Sequence, residues 1–396
     1  MTSSDADIII AGAGAAGLHL AWYLKRAGLA GRRVLLIDRD RKEANDRTWC
    51  FWERGENPLE AHLYRRWTDL QFKSPRWSGR LALGGYVYKM MRGSDFYAAM
   101  RADFEGEPGI EWRLGDIASV ADAANGGAEV RLADGAIVRA PLVFSSLRGP
   151  EPTPAPGRVS LLQHFVGWVI RVEHPVFDPG QATLMDFNVP QDGETRFVYV
   201  LPLDERTALV EFTVFSPAIL PREVYARGLE TYIRSNLGDP AYAIAHQEFG
   251  VIPMTDTPFA AASAGGGVIN IGTAGGATKP STGYTFKRIQ AQTARIAANV
   301  GAGRAPLAGA RTGSGRYGFF DRVLLNVLAR GRRAGADVFT DMFSRVDAST
   351  VFDFLDETST LAQDAQVLWN STRGPFVAAA LDVMADDARR RLGIGI

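Results

Sequence analysis

The sequence is poor in cysteine, in net charge and in long apolar runs. Its 396 residues include one cysteine, Cys50, which excludes a disulfide framework and fits a reducing cytoplasm. Lys and Arg together number 44, as do Asp and Glu, so the charge balance does not point to a nucleic-acid partner. No apolar run approaches the ~20 residues of a membrane-spanning helix, and the acidic N-terminus does not resemble a secretory signal. We expect a cytoplasmic chain of two or three packed lobes that is not integral to a membrane.

The first motif is a strand, a glycine-rich turn and a helix, within DIIIAGAGAAGLHLAWYLKRAG (7–28). Gly12, Gly14 and Gly17 form G-x-G-x-x-G, in which glycines allow a tight turn and the close approach of a pyrophosphate. A second strand ends at Asp38, 21 residues beyond Gly17, which is the spacing of an acid that binds a ribose hydroxyl. The pattern predicts a dinucleotide site; the alternative is a glycine-rich surface turn.

A second glycine-rich stretch, residues 265–300, favours FAD over NAD. Flavoproteins of the glutathione-reductase type close the FAD site with a late strand, a Gly-Asp pair and a helix N-terminus. Here Thr273 follows Gly272, so the aspartate of that pair is absent. Such flavoproteins often also carry an Asp-x-Arg-Gly segment, and Ser146 replaces the aspartate of that segment here. Backbone N–H groups of loop 273–283 can still face a flavin and a pyrophosphate. The candidate cofactor-binding residues are Gly12, Gly14, Ala16, Gly17, Asp38, Arg47, Gly272, Gly275, Gly276, Thr282 and Gly283.

The order of predicted elements indicates an α/β fold. We predict a Rossmann-type FAD-binding domain of the glutathione-reductase/hydroxylase type, an antiparallel β-sheet substrate domain and a helical C-terminal region. The FAD-binding domain is discontinuous, with residues 1–75, 100–150 and 262–300. Residues 76–99 and 151–261 form the β-rich domain, and 301–396 form the helical region. Hairpins are expected at Asp134-Gly135 and around residues 204–206.

The stretch TALVEFTVFS (207–216) predicts a strand with one acid among strong strand formers. An ionised carboxylate is costly to bury, so such a group is usually paired or protonated. Because alternate strand residues share a face, Glu211 should point the same way as the other odd-numbered residues. Among apolar neighbours its pKa should be raised, which would make it an acid at neutral pH. The alternative is a salt bridge at the strand edge.

Aromatic residues and a second acid occur in three other segments, DRTWCFW (46–52), QHFVGW (163–168) and LMDF (184–187). Aromatic faces attract cations, and an apolar pocket with few polar groups suits a hydrophobic ligand. Plain core packing is the alternative for each segment. No cluster has the spacing of a metal site.

These segments, together with others, resemble the bacterial lycopene β-cyclase family. The matching segments run in family order over about the whole chain: IIIAGAGAAGL (8–18), RTWCFW (47–52), QHFVGW (163–168), LMDF (184–187), FVYVLPL (197–203), LVEFT (209–213), VIPM (251–254), NIGTAGGATKPSTGYTF (270–286) and FFDRVLLNVL (319–328). LVEFT is similar to the family's Phe-Leu-Glu-Glu-Thr-type segment, whose glutamate is regarded as essential. That role falls on Glu211, and Phe212 replaces the second acid of plant members.

The resemblance implies cyclisation of the ψ-ends of lycopene to β-ionone rings, giving γ-carotene and then β-carotene. It also implies reduced FAD with NAD(P)H as electron donor, although the reaction has no net electron transfer. The reduced flavin would stabilise the cation, and the alternative is that the flavin and not Glu211 delivers the proton. The candidate catalytic residues are Glu211 and Asp186. The candidate pocket residues are Trp49, Trp52, His164, Phe165, Trp168 and Phe187. A core histidine bonded to backbone is the alternative for His164.

The substrates, lycopene and related ψ-end carotenoids, reside in a bilayer, so we expect peripheral docking on a membrane. The amphipathic C-terminal helices are candidates for that contact, and packing on the FAD-binding lobe explains their pattern as well. The alternative functions on this fold are a flavin monooxygenase, a prenyl-chain reductase and a non-catalytic carotenoid carrier. A monooxygenase or a reductase would consume NAD(P)H in proportion to product, whereas a carrier would leave carotenoid unchanged.

Overall fold

The computed structural model describes residues 4–28, 31–149, 154, 157–310, 315–370 and 372–392. The strands of these residues are, in chain order, β1 (Ile8–Ala11), β2 (Val34–Asp38), β3 (Thr48–Arg54), β4 (Arg65–Trp67), β5 (Asp69–Lys73), β6 (Ser78–Arg80), β7 (Tyr86–Arg92), β8 (Ile110–Leu114), β9 (Ile117–Asp122), β10 (Ala128–Leu132), β11 (Ile137–Ala140), β12 (Leu142–Ser145), β13 (Ser160–Val172), β14 (Gln181–Asp186), β15 (Thr195–Pro202), β16 (Thr207–Ser216), β17 (Tyr242–Thr255) and β18 (Val268–Asn270). The helices are α1 (Ala15–Arg26), α2 (Gly93–Phe104), α3 (Arg222–Asn236), α4 (Phe286–Gly301), α5 (Arg316–Ala329), α6 (Gly335–Arg345), α7 (Ala348–Leu355), α8 (Leu361–Asn370) and α9 (Arg373–Arg391).

A parallel sheet of the order β18-β12-β1-β2-β8 forms the first lobe. Every residue of β1 and β2 is buried, as expected for parallel strands that are covered on both faces. Ile8 and Ile10 pack on one face with α1 and α4, and Ile9 and Ala11 pack on the other against the β9–β11 sheet. The predicted strand-turn-helix and the predicted hairpin at Asp134-Gly135 are both confirmed.

A larger sheet, of the order β17-β13-β16-β15-β14-β5-β6, forms the second lobe. Strand β16, in the interior of this sheet, is antiparallel to β13 and to β15, so the predicted hairpin at residues 204–206 is confirmed. Even-numbered β16 residues such as Val210 and Val214 pack with α3, whereas odd-numbered Leu209 and Phe215 pack in the core that meets the C-terminal helices. The predicted alternation of β16 is therefore confirmed, and it gives the sheet two different faces.

The remaining strands and the C-terminal helices connect the two lobes. Strands β3, β7 and β4 form a separate antiparallel sheet, whereas β5 and β6 join the large sheet. The predicted domain division at residue 75 therefore falls between two strands of the same sheet. After residue 301 the described chain is helical, and buried Lys279 ties the late glycine-rich loop to these helices through Asp321 (2.9 Å) and Glu357 (3.1 Å).

Candidate active site

The turn between β1 and α1 has the geometry of a phosphate-binding turn. Gly12 has φ +97°, and a Cβ there would lie 2.3 Å from Ser146 Oγ. A Cβ at Gly17 would lie 1.9 Å from the Gly12 carbonyl oxygen, so glycine is needed for the close packing of helix on strand. A Cβ at Gly14 would meet no atom within 4 Å, and Gly14 lines a cavity at the N-terminus of α1. The turn therefore leaves room where a ligand phosphate approaches backbone N–H groups.

Asp38 lies at the end of β2, beside this turn. Its Oδ2 accepts a 2.6 Å hydrogen bond from the Ala13 backbone N–H, and Lys42 Nζ lies 3.6 Å from its Oδ1. Asp38 and Ala16 both line the cavity, and so does Arg47, whose side chain is exposed at the rim. This is the position from which a carboxylate reaches a ribose hydroxyl in a dinucleotide-binding fold.

The late glycine-rich loop contributes fewer residues to the cavity than the sequence predicts. Gly272 and Gly283 line it, but the structure places Gly275, Gly276 and Thr282 away from it. A Cβ at Gly275 would lie 2.2 Å from the Asn270 carbonyl oxygen, and Gly276 has φ +71° at the end of a short 3₁₀ turn. These two glycines therefore shape the turn, and the buried Thr282 lies behind the cavity wall.

The cavity, of about 890 Å³, runs from the first glycine turn to the large sheet. Its cofactor end is lined by Gly12, Gly14 and Asp38, and by Ser146 and Thr273, the two positions at which the expected aspartates are missing. Its far end is walled by side chains of the large sheet and of the loop before α4: Gln163, Phe165, Tyr199, Leu201, Leu209, Glu211, Glu248, Ile252 and Tyr284. One cavity thus joins the glycine turn to a compartment lined by aliphatic and aromatic side chains together with two carboxyl groups.

Glu211 is half-buried, and its remaining accessible surface faces the cavity that it lines. Thr213 Oγ1 donates a 2.8 Å hydrogen bond to its Oε1, and no salt bridge to Glu211 occurs among the described residues. Burial raises the pKa of Glu211, and the negative charge of Glu248 raises it further. The alternative of a strand-edge salt bridge is therefore wrong, and Glu211 is a carboxyl that can hold a proton near neutral pH.

Glu248 is a second acid of the cavity, which the sequence analysis missed. It is 7% exposed, and its Oε2 accepts a 2.9 Å hydrogen bond from Thr48 Oγ1. Burial also raises the pKa of Glu248, while the hydrogen bond from Thr48 lowers it. The sequence signal was present, since an acid in the strand-like segment before VIPM has the same pattern as Glu211.

Two of the predicted aromatic residues line the cavity. Trp49 packs against Phe96 and Phe286 beside the cofactor end, and Phe165 projects from β13. Trp52 instead stacks on Phe352 of α7, with ring centroids 4.4 Å apart, and Phe187 packs among core phenylalanines. For Trp52 and Phe187, the alternative of core packing is therefore correct.

His164, Trp168 and Asp186 are not part of the cavity, which corrects three predictions. His164 and Trp168 have the opposite parity to Phe165 on β13 and point toward α3. The fully buried His164 lies 2.8 Å from Ser216 Oγ and 2.6 Å from the Tyr225 hydroxyl, and burial lowers its pKa to about 4.

Asp186 accepts hydrogen bonds from Asn188 and, at 2.8 Å, from the Tyr232 hydroxyl, so its carboxylate is already satisfied. It holds a strand end to α3 instead of facing a ligand.

A family model described as lycopene cyclase protein matches residues 7–381. This chain belongs to the lycopene cyclase family. A lycopene beta-cyclase of Paracoccus sp. (strain N81106 / MBIC 01143) is 28% identical over 304 residues, which cover 74% of this chain and 73% of that protein. A lycopene beta-cyclase of Pseudescherichia vulneris is 27% identical over 315 residues, 76% of each chain. The predicted family resemblance is thereby confirmed.

Solved structures confirm the fold class of this family member. A probable FAD-dependent monooxygenase from Pseudomonas aeruginosa has a TM-score of 0.53 at 17% identity, covering 89% of this chain and 100% of that chain. At this identity the likeness concerns the fold alone. Within the described residues, no helix has both the length and the apolar character needed to cross a bilayer. The described His, Cys, Asp and Glu side chains form no group that could hold a metal ion.

Proposed function

We propose that this chain is a lycopene β-cyclase of carotenoid biosynthesis, which converts lycopene to γ-carotene and then to β-carotene. The observation that supports this most is Glu211, a carboxyl with a raised pKa that lies beside Leu209 and other apolar side chains in a cavity continuing to the glycine turn. Membership of the lycopene cyclase family identifies the substrate class. The chemistry needs such a group, because ring closure begins when a proton adds to an alkene.

In the proposed mechanism, neutral Glu211 gives its proton to the terminal double bond of a ψ-end. The tertiary cation that forms is attacked by an internal double bond, and the ring cation then loses a proton to give the β-ring. Leu201, Leu209 and Phe165 exclude water that would quench the cation, and the face of Tyr199 can stabilise it. A neutral carboxyl is a weak acid toward an alkene, so stabilisation of the cation must supply much of the rate.

We further propose that the cofactor is FAD in its reduced form, with NAD(P)H as the electron donor. Gly12, Gly14 and Asp38 would hold the pyrophosphate and ribose, since the open space at Gly14 fits a close ligand. Gly272 and Thr273 would face the flavin at the opposite wall. When bound, a reduced flavin supplies negative charge near the cation without net redox change.

Helices α8 and α9 are proposed to place the enzyme on the membrane that contains its substrate. Val377, Leu381 and Met384 are 55%, 61% and 58% exposed, at the spacing of one helix face. The opposite face of α9 already packs on α5, so internal packing does not account for this exposed stripe. Trp369, 69% exposed under the Arg373 guanidinium, adds an aromatic residue of the type found at lipid interfaces.

The test of the proposed function is an anaerobic assay of lycopene in liposomes with FAD and NADPH. Carotenoids are followed by chromatography and NADPH by absorbance. We expect γ- and β-carotene with NADPH used only in catalytic amount, and Glu211→Gln should lower the rate at least a hundredfold. Asp186→Asn is the matched control, because this acid lies outside the cavity; its activity per folded molecule should be retained.

Each alternative function gives a different outcome in the same assay. Product formed anaerobically with stoichiometric loss of NADPH would identify a reductase, and product that appears only when the assay is repeated in air would identify a monooxygenase. Carotenoid that binds and is recovered unchanged would identify a carrier. Any of these three results would overturn the proposed cyclase.

A further inference from the structure

Glu211 and Glu248 lie in one row across adjacent strands of the large sheet. Glu211 on β16 is opposite Gly167 on β13, and Gly167 is opposite Glu248 on β17. Tyr199 on β15 continues the row on the other side of Glu211. Residues that are directly opposite on neighbouring strands point to the same face, so both carboxyls project into the cavity.

Gly167, between the two acidic residues in the row, leaves space on the cavity face for the Glu248 side chain. A Cβ there would lie 3.1 Å from Glu248 Cγ and 3.3 Å from Glu248 Oε1, so the Glu248 side chain crosses the space that a larger residue would occupy. The two glutamates are two strand spacings apart, about 10 Å between their Cα atoms. The Glu248 side chain leans over the glycine, beside Leu209 Cδ1 at 3.0 Å from the same Cβ position, which brings its carboxyl group toward the strand of Glu211.

The two oxygens of Glu248 have different environments. Oε2 accepts the hydrogen bond from Thr48, whereas Oε1 is buried without a hydrogen-bond partner among the described residues. A buried carboxylate oxygen without a donor is costly, and such groups usually have a functional explanation. This unpartnered oxygen lies 3.3 Å from the position of a Cβ at Gly167, the residue between Glu248 and Glu211 in the row.

We propose that Glu248 is the base of the ring closure: it accepts the proton that the ring cation releases and returns it to Glu211. This inference rests on the proposed cyclase function. The Glu211 O–H bond breaks as a C–H bond forms on the substrate, and a ring C–C bond then forms. A substrate C–H bond breaks to leave the ring double bond, and its proton binds Glu248 Oε1. Transfer of that proton to Glu211 restores the enzyme, so protons and electrons balance over the cycle.

The charges around the pair support one shared proton near neutral pH. Groups electrostatically coupled to the pair are a thiol, three phenols and two charged residues near Glu248: Cys50, Tyr88, Tyr199, Tyr284, Arg47 and Asp46. Burial raises the pKa of the thiol and of the phenols, so they stay neutral. Arg47 lowers the pKa of Glu248, but it is exposed and therefore screened. Because burial and the charge of Glu248 both raise the pKa of Glu211, the two carboxyls favour one proton between them.

The test compares Glu248→Gln with the wild type in rate and in pH profile. The amide oxygen of glutamine can still accept from Thr48, so the local structure is kept while the base is lost. We expect turnover to fall at least a hundredfold. The loss of rate at low pH, which reports protonation of the base, should disappear. The loss at high pH should move to lower pH, because removing a negative neighbour lowers the pKa of Glu211. If Glu248→Gln has the turnover of the wild type and loses rate at the same low and high pH values, the proposal is overturned.

Two further measurements separate this role from a structural one. Thr48→Val removes the side-chain hydrogen bond that lowers the pKa of Glu248, while the backbone N–H of residue 48 and the carboxyl stay. The fall in rate at low pH should therefore begin at a higher pH, while cyclisation continues. Infrared spectroscopy can follow the protonation of the Glu211 carboxyl as pH changes, and this measurement does not depend on activity. The Glu211 band is the one that is absent from the spectrum of Glu211→Gln. If Glu211 titrates at the same pH with and without Glu248, the pair does not exist, even if the wild type proves inactive on lycopene. Lycopene left unconverted by the wild type overturns the proposed function instead.

Discussion

At the scale of single residues, two acids within apolar strands have different surroundings. Asp186 is 1% exposed, and both of its oxygens accept hydrogen bonds from its own lobe. Glu211 has one hydrogen bond, from Thr213, and a like charge in the same cavity. A satisfied carboxylate contributes to stability, whereas a desolvated one next to another acid costs stability and retains a proton. The surroundings, and not the residue type, separate a structural acid from a reactive one.

Replacing Glu211 by glutamine should stabilise the protein at the pH where it abolishes activity. The raised pKa means that the folded state binds more protons than the unfolded state above the ordinary value of 4.5. Stability of the wild type therefore falls as pH rises through the window between that value and the folded pKa. Glu211→Gln removes this loss, which amounts to about 1.4 kcal/mol per unit of pKa shift.

Thermal unfolding at pH 5 and at pH 8 measures this effect. The melting temperature of Glu211→Gln should exceed that of the wild type by roughly 2 °C or more at pH 8, and the difference should be smaller at pH 5. An equal difference at both pH values would contradict a raised pKa.

At the scale of elements, the turn between β1 and α1 contains glycines required for two different reasons. Gly12 and Gly17 are required by the protein itself, because a Cβ at either would overlap a neighbouring atom. Gly14 has φ −77°, which any residue adopts, and has no neighbour within 4 Å. No contact within the protein requires glycine at this position. The open space beside Gly14 is therefore what a bound ligand would need.

Alanine substitutions should separate these two reasons. Gly14→Ala should leave the melting temperature of the FAD-free protein within about 1 °C of wild type but weaken FAD binding at least tenfold, because the methyl group occupies the path of the pyrophosphate. Gly17→Ala should lower stability by several kcal/mol or prevent folding, because its Cβ would lie 1.9 Å from the Gly12 carbonyl oxygen. Flavin fluorescence and thermal unfolding give the two quantities. Wild-type FAD affinity in Gly14→Ala would contradict the assignment.

The sequence predicts these elements well, because each depends on local patterns. Alternation along β16 was enough to give the face of Glu211. The same alternation along β13 places His164 and Trp168 on one face of the sheet and Phe165 on the other. This alternation is visible in the sequence, and it excludes a pocket that contains all three residues. Glu248 is different in kind, since its place beside Glu211 depends on the pairing of strands that are not adjacent in the chain.

Nothing in the sequence near Gly167 states that this glycine separates two acids. Likewise, Gly275 and Gly276 belong to the same motif as Gly272, and only the three-dimensional turn shows that they face away from the cavity. The local alternation of residues therefore predicts the strands and helices, whereas the pairing of strands that are distant in the sequence determines which residues meet in the cavity.

At the scale of the whole molecule, the proposed docking through the exposed apolar stripe of α9 would orient the protein on a membrane. Asp382 and Asp387, on the same helix, are held by Arg332 and Arg322 within the fold, so their charges are partly compensated. The last turn of α9 adds Arg389, Arg390 and Arg391. Apolar side chains beside basic residues suit an anionic lipid surface.

Charged residues in this stripe should release the protein from vesicles. Leu381→Glu combined with Met384→Glu should weaken binding to vesicles of anionic and zwitterionic phospholipid at least tenfold, because each side chain loses about 1–2 kcal/mol of burial. Ser119→Glu with Ala121→Glu adds the same charge on an exposed strand of the other lobe and is the control. Vesicle flotation measures the bound fraction, and equal binding by both double variants would exclude α9 as the docking surface.

The order of strands in the parallel sheet also has a consequence for synthesis on the ribosome. Strand β1 lies between β12 and β2, and β12 in turn pairs with β18, which begins at Val268. Strand β1 therefore leaves the ribosome long before β12, the partner on its other side, and before β18, which completes that edge of the sheet. At about 5–20 residues per second, the delay before β18 emerges is on the order of 10–50 s. During that time the apolar β1 and β2 have incomplete partners, so the nascent chain is a natural client for chaperones.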